Sequence, residues 1–180
     1  LEPGDFAVAI AQAMGDERLD LIAMDGSFTA NIETAYNLRE VTRFFVGSQE
    51  MIPAEGLPYA DWLLGLSSAP DGESAAAALV NLFAERYVEA DEVSPTPFAT
   101  LSAFNLEGII QVRVALDGLS AHLLDVLEEE EALYALARVR ARMPSFIGLG
   151  KAQIDLTEFL HQIDAEIGLN ATRLAELALR

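Results

Sequence analysis

Between residues 19 and 39 the spacing of apolar positions changes character twice. Leu19, Leu21, Ile22, Ala23 and Met24 form a short apolar run, the pattern of a strand buried on both faces. Asp25-Gly26-Ser27 interrupts it. Phe28, Ile32, Ala35 and Tyr36 then recur at helical spacing, with Asn31, Glu33, Thr34, Asn37 and Arg39 on the other side. The stretch is predicted as strand, tight turn and helix. Val41 to Val46 is a second β-branched and aromatic run, predicted as a parallel strand, and the three elements fit within the roughly 30 residues of a βαβ unit. Upstream, Pro3-Gly4-Asp5 reads as a helix start, with Phe6, Ile10 and Ala13 on one face and Gly15 ending the helix. Residues 47–59 form a loop punctuated by glycine and proline. It is expected beside Asp25-Gly26-Ser27, because neighbouring parallel strands end on the same edge of a sheet.

Beyond residue 59 the pattern turns mostly helical. A short helix over 60–66 carries Trp62, the single tryptophan. A turn over 69–73 leads to a long amphipathic helix over 74–90, and Ser94-Pro95-Thr96-Pro97 reads as a rigid extended linker. Residues 98–103 read as a strand, Asn105 or Leu106 opens a helix to about Leu127, and 143–150 is a loop. A further helix begins near Ile154, with Asp155 as its N-cap. There is no internal repeat and no low-complexity tract. The mixture predicts an α/β fold in a single domain over 1–180. Within it, 1–68 is a strand-helix-strand core with active-site loops, and 69–180 is a mostly helical extension.

Composition narrows the function classes. The 180 residues are 52% hydrophobic, enough for a real core. Lys plus Arg number 11 against 29 Asp plus Glu, a net charge of −18 that repels phosphate backbones and anionic lipid surfaces. Nucleic-acid and membrane-surface roles are therefore not expected. The same charge suits cationic partners such as basic peptides, although an acidic surface also serves solubility alone. There is no cysteine, hence no disulfide, no thiolate metal site and no thiol nucleophile. No signal peptide is visible, and no apolar run reaches the length of about 18 residues needed to cross a membrane. A chain that starts at Leu1 and runs straight into helical sequence reads as a piece of a longer or processed protein.

Asp20-Leu-Ile-Ala-Met-Asp-Gly-Ser-Phe-Thr-Ala30, followed by Glu33-Thr-Ala-Tyr36, resembles the nucleophile segment of the clostripain-like (C11) cysteine peptidases of the caspase-like clan. That segment is an apolar strand, then Asp-Ala-Cys-Leu-Met, then a helix with Glu-x-Ala-Tyr. Ser48-Gln49-Glu50 and Gly56-Leu57-Pro58-Tyr59 are similar to the family's Ser-Glu-Glu-like turn and its Gly-Trp-Pro-Tyr. Residues 98–106 are similar to its Thr-Leu-Ser-Ala-Ile-Asp, and 154–159 to its Ile-Asp-Leu-x-x-Phe.

The resemblance implies a caspase-like fold, a mostly parallel sheet sandwiched by helices with a helical C-terminal extension. It implies the nucleophile-bearing portion of an endopeptidase that cuts after Arg or Lys. On it, Ser27 stands at the position of the catalytic cysteine and Asp25 at the acid under the S1 pocket, with Gly26, Ser48 and Glu50 as further substrate-binding positions. The family's general base is a histidine in a His-Gly motif on a preceding strand. This chain has only His122 and His161, far downstream and not followed by glycine. The histidine is therefore expected on an N-terminal segment or a separate chain, in keeping with a family that often matures by self-cleavage into two associated chains. No cofactor is expected, and the resemblance allows calcium. It is also compatible with a secreted or cell-envelope place in a bacterium, which the residues themselves leave undetermined.

Read as chemistry alone, the same residues keep other readings open. The nucleophile elbow of α/β-hydrolases needs glycine two positions before and after its serine, and Asp25 and Thr29 stand there instead. Ser27 also suits an N-cap, and Asp25 a helix-capping carboxylate. A serine alcohol ionises far above the pKa of about 8.5 of a thiol, so it is a poor substitute in a thiolate site. His122 is expected to be partly buried and structural, His161 to lie on the surface, and neither has metal-ligand spacing. Glu128 to Glu131, at consecutive helix positions, would point around the axis and not converge on one ion. Two rivals to a working peptidase follow: a catalytically dead pseudo-peptidase that binds basic peptides or a protein, and a plain structural domain.

Overall fold

In the computed structural model, strand β1 (Leu19–Ala23) lies parallel to β2 (Thr42–Gly47), with Leu21 opposite Phe44 and Ala23 opposite Val46. The structure describes residues 3–88, 99–144 and 153–167, and the chain divides into two compact units, Leu1–Ile109 and Ile110–Arg180. Strand β3 (Ser102–Asn105) pairs with the other side of β2 in the antiparallel sense, a direction that the sequence pattern leaves open. The described sheet is thus mixed, in the order β1-β2-β3.

Central β2 is the best-buried strand, because both its faces are covered. Phe44 and Val46 look to one side with Leu21 and Ala23, against Ala76, Leu79 and Phe83 of α4 (Gly72–Tyr87). Phe45, fully buried, looks to the other and stacks on Phe104 of β3 with ring centroids 5.7 Å apart. Helix α2 (Ile32–Leu38), with Ala35 and Leu38 fully buried, packs against β2, and α1 (Pro3–Met14) against α2. β1 departs from the expectation of a strand buried on both faces. It is an edge strand of the described sheet, where Ile22 is buried but Asp20 is exposed.

The helices begin where local capping chemistry is available. Asn31 caps α2, its Oδ1 accepting from Thr34 N–H at 2.8 Å, and Asp71 caps α4 through Ser74 N–H at 2.8 Å. Asn31 as cap corrects two sequence alternatives: neither Ser27 nor Asp25 caps the helix, which starts at Ile32. Phe28 to Ala30 belong to the turn. Helix α3 (Tyr59–Leu66) carries Trp62, whose indole N–H donates to Ala75 O at 2.9 Å. Of the two candidate starts, Asn105 or Leu106, Asn105 ends β3 and caps a 3₁₀ turn, Leu106–Gly108, that runs directly into the next helix at Ile109.

The second unit is helical: α5 (Ile109–Val126), α6 (Glu130–Arg142) and α7 (Leu156–Ile167). Leu119, Val139, Met143, Leu160 and Ile163 form its core. Asp155 accepts from Glu158 N–H at 2.7 Å, as expected of an N-cap. Glu128 to Glu131 do not share one helix, since α5 ends at Val126 and Glu129 is the residue before α6. His122 is exposed, against the expectation of partial burial, because it lies off the Leu116-Leu119-Leu123-Val126 stripe that packs inward. The predicted linker over 94–97, Phe98, the end of the predicted helix over 74–90 and most of the loop over 143–150 lie outside the described residues. Among the described residues no helix is long and apolar enough to cross a membrane.

Candidate active site

At the carboxyl end of β1 the ladder to β2 does not stop. Met24 N–H donates to Val46 O at 2.9 Å, and pairing continues into the loops with Ala30 N–H on Ser48 O at 3.0 Å and Phe28 N–H on Glu50 O at 3.2 Å. The turn carrying Asp25-Gly26-Ser27 is therefore stitched along its length to the loop after β2. Thr29 adds a side-chain clasp: its hydroxyl donates to Gly26 O at 3.0 Å and accepts from Ser48 N–H at 3.3 Å. Gly47 allows this approach, since a Cβ there would lie 2.8 Å from Thr29 Oγ1 and 2.7 Å from the Phe45 ring. Phe28 takes a left-handed backbone with φ of 61°, at a cost of about 1–2 kcal/mol for a residue with a side chain. The hydrogen bond to Glu50 O and the neighbouring ladder hold it there.

Ser27 is exposed at the head of this turn, and its Oγ accepts from Ile52 N–H at 3.0 Å. Asp25, also exposed, directs Oδ2 at the end of the same loop. The Tyr59 hydroxyl donates to it at 2.8 Å and Leu57 N–H, more weakly, at 3.4 Å. Gly56 between them has φ of +70°, and a Cβ on it would fall 2.5 Å from Asp25 Oδ2. Only glycine fits both demands. The Tyr87 hydroxyl fixes this corner from beneath by donating to Gly56 O at 2.9 Å. Burial, then the hydrogen bond and charge of Asp25, push the Tyr59 phenol above its ordinary pKa: a phenolate beside a carboxylate is disfavoured.

Ser48 and Glu50 occupy a different layer. Ser48 is fully buried and Glu50 nearly so. The Ser48 hydroxyl lies 2.9 Å from Glu50 O, 3.2 Å from Glu50 N and 3.1 Å from Thr100 Oγ1. Thr100 Oγ1 also accepts from the Gln49 and Glu50 N–H groups at 3.2 Å each. Together they make a polar knot under the loop that ties it to the segment entering β3. Gly26 contributes its carbonyl to Thr29. So the structure brings Asp25, Gly26 and Ser27 together at the open edge, with Ser48 and Glu50 supporting them from below.

Three participants carry no chemical signal of their own in the sequence: Thr100, the Ile52 N–H and the Tyr59 hydroxyl. Tyr59 stands within Gly56-Leu57-Pro58-Tyr59, where its place three residues past Gly56, in a motif like the family's Gly-Trp-Pro-Tyr, gives the cue. His122 and His161 are exposed on α5 and α7. Among the described residues no three His, Cys, Asp or Glu side chains gather as a metal site.

A model of the clostripain family matches residues 6–164 of this chain. Among solved structures, a cysteine protease from B. fragilis superposes with a TM-score of 0.69 at 19% identity, over 99% of this chain and 70% of that one. A clostripain from Bacteroides thetaiotaomicron, in complex with the peptide inhibitor BTN-VLTK-AOMK, gives 0.60 at 18% identity over 98% and 70%. An inactive zymogen C11 protease from Parabacteroides distasonis gives 0.62 at 19% identity over 98% of this chain but only 46% of that one. No curated protein matches the sequence.

Proposed function

We propose, from the premise that this chain belongs to the clostripain family and has the fold of its cysteine proteases, that it is the nucleophile-bearing portion of an endopeptidase site cutting after Arg or Lys, with the thiol replaced by the Ser27 alcohol. One observation carries the reading: Ser27 Oγ and the Asp25 carboxylate emerge exposed from one turn, held to one loop by Ile52 N–H and by Tyr59 and Leu57. A carboxylate fixed two residues from a nucleophile position can pair with the side chain of a basic residue while that residue's carbonyl meets position 27. With cysteine there, a histidine base would take the thiol proton. The thiolate would attack the carbonyl carbon, the amine would leave, and water would release the acyl group. Such a histidine would be supplied by a segment or chain outside these residues. The Ile52 N–H directed at position 27 suits a thiolate, whose charge it would stabilise, better than a neutral alcohol. Peptides bearing Arg or Lys are the proposed ligands, attracted by the net charge of −18.

The alternative, a catalytically dead pseudo-peptidase that binds peptides or a protein, has its own support. The nucleophile position holds the Ser27 alcohol, which ionises far above the range of a thiol. One experiment separates the two. The parent coding sequence is expressed with Ser27→Cys, and cleavage of short peptides ending in Arg, Lys or Asp at P1 is followed. Turnover of the Arg and Lys peptides, lost again on Asp25→Ala, supports the peptidase site; a folded variant that turns over none of them leaves the binding module.

A further inference from the structure

We propose that Tyr59 sets the choice between lysine and arginine at Asp25, by occupying one carboxylate oxygen so that a basic side chain is received end-on through the other. This rests on the reading of Asp25 as the acceptor of a basic side chain. Oδ2 already takes two donors, the Tyr59 hydroxyl at 2.8 Å and Leu57 N–H at 3.4 Å, one for each of its lone pairs. Among the described residues Oδ1 has no hydrogen-bond partner. The carboxylate cannot readily turn to share its oxygens differently. Gly56 is pressed so closely against it that a Cβ would fall 2.5 Å from Oδ2 and 3.3 Å from Oδ1, and Gly56 is itself held by Tyr87.

The two basic side chains use such a site differently. A guanidinium gains most from a carboxylate that offers both oxygens to its fork, two parallel N–H bonds at once. An ammonium is a compact point charge and needs only one accepting oxygen. With Oδ2 filled, arginine loses the fork and keeps a single-oxygen contact, whereas lysine loses nothing. Tyr59 is 45% exposed and sits on the first turn of α3, so the phenol lies at the rim where an arriving side chain meets it. It acts through Asp25 and is a positioning residue.

The test uses this chain with Ser27 as it stands. Binding of three blocked peptides, identical except for Lys, Arg or norleucine at the last residue, is measured by NMR titration. Both basic peptides are expected to bind more tightly than the norleucine peptide, with that advantage lost on Asp25→Asn. Tyr59→Phe, which removes one hydroxyl from an exposed ring, is expected to raise the Arg-over-Lys affinity ratio by about ten-fold. General damage to the loop would weaken both basic peptides together and leave the ratio alone. An unchanged ratio in Tyr59→Phe, with the Asp25→Asn loss intact, overturns the role of Tyr59 and leaves Asp25 standing. Basic peptides that bind no better than norleucine overturn both.

Discussion

The open edge of the sheet and the helical unit are built on different terms. At the sheet edge, groups distant in sequence converge through directional bonds. Ser27 meets Ile52, Asp25 meets Leu57 and Tyr59, and Thr100 gathers Ser48, Gln49 and Glu50 from about fifty residues away. In α5 to α7 the core is Leu119, Val139, Met143, Leu160 and Ile163, and the polar contacts sit outside it. Arg113 pairs with Asp117 one turn away, and Arg138 and Arg142 both reach Glu166 at 3.2 and 2.6 Å from the surface. Apolar packing is non-directional, so it fixes which faces meet without fixing individual polar atoms. Hydrogen bonds between loops specify atoms, which a site for chemistry requires.

That contrast can be broken by substitution. The largest effect is expected in the helical core: Ile163→Ala removes fully buried atoms and should cost about 2–5 kcal/mol in denaturant unfolding. Next comes Gly56→Ala, which puts a Cβ on a left-handed residue and into the Asp25 carboxylate; a loss of about 1–3 kcal/mol is expected, with chemical-shift changes at Asp25 and Tyr59. Thr100→Val should cost about 1–2 kcal/mol by taking the acceptor from the Gln49 N–H and one of two acceptors from the Glu50 N–H, which keeps Ser48 Oγ, and should raise amide exchange over residues 48–50.

The smallest effect belongs to Glu166→Gln. Arg138, then Arg142, hold the Glu166 carboxyl below its ordinary pKa. A depressed carboxylate contributes stability above its unfolded pKa and loses it as pH falls through the folded one. The variant should therefore be slightly less stable than the parent at neutral pH and equal to it in strong acid, as read from urea midpoints across pH. If Glu166→Gln costs more at neutral pH than Thr100→Val, the distinction between a packed unit and a hydrogen-bonded one fails.

The hydrophobic pattern made much of the fold legible. An apolar run, a break and a helical period over residues 19–47 read as β1, α2 and parallel β2, because strand and helix periods differ and the crossover length admits one arrangement. The expected position of the loop over 47–59 beside Asp25-Gly26-Ser27 followed from that pairing. Less legible were the ends of elements. Phe28 stands at helical spacing from Ile32 yet lies in the turn, since Asn31 caps the helix and Phe28 is drawn into a left-handed backbone by its bond to Glu50 O.

Sequence alone, then, determined the strand-helix-strand order over residues 19–47, the family and the adjacency of Asp25 and Ser27, all properties of local period and short motifs. The tertiary structure decided which oxygen of Asp25 is occupied, that Ser48 and Glu50 lie beneath the edge and not at it, and that Thr100 ties the loop down. These are outcomes of contacts between residues dozens of positions apart. A chain's local pattern constrains which faces are apolar, but only closure of the fold sets which donors and acceptors come within 3 Å of one another.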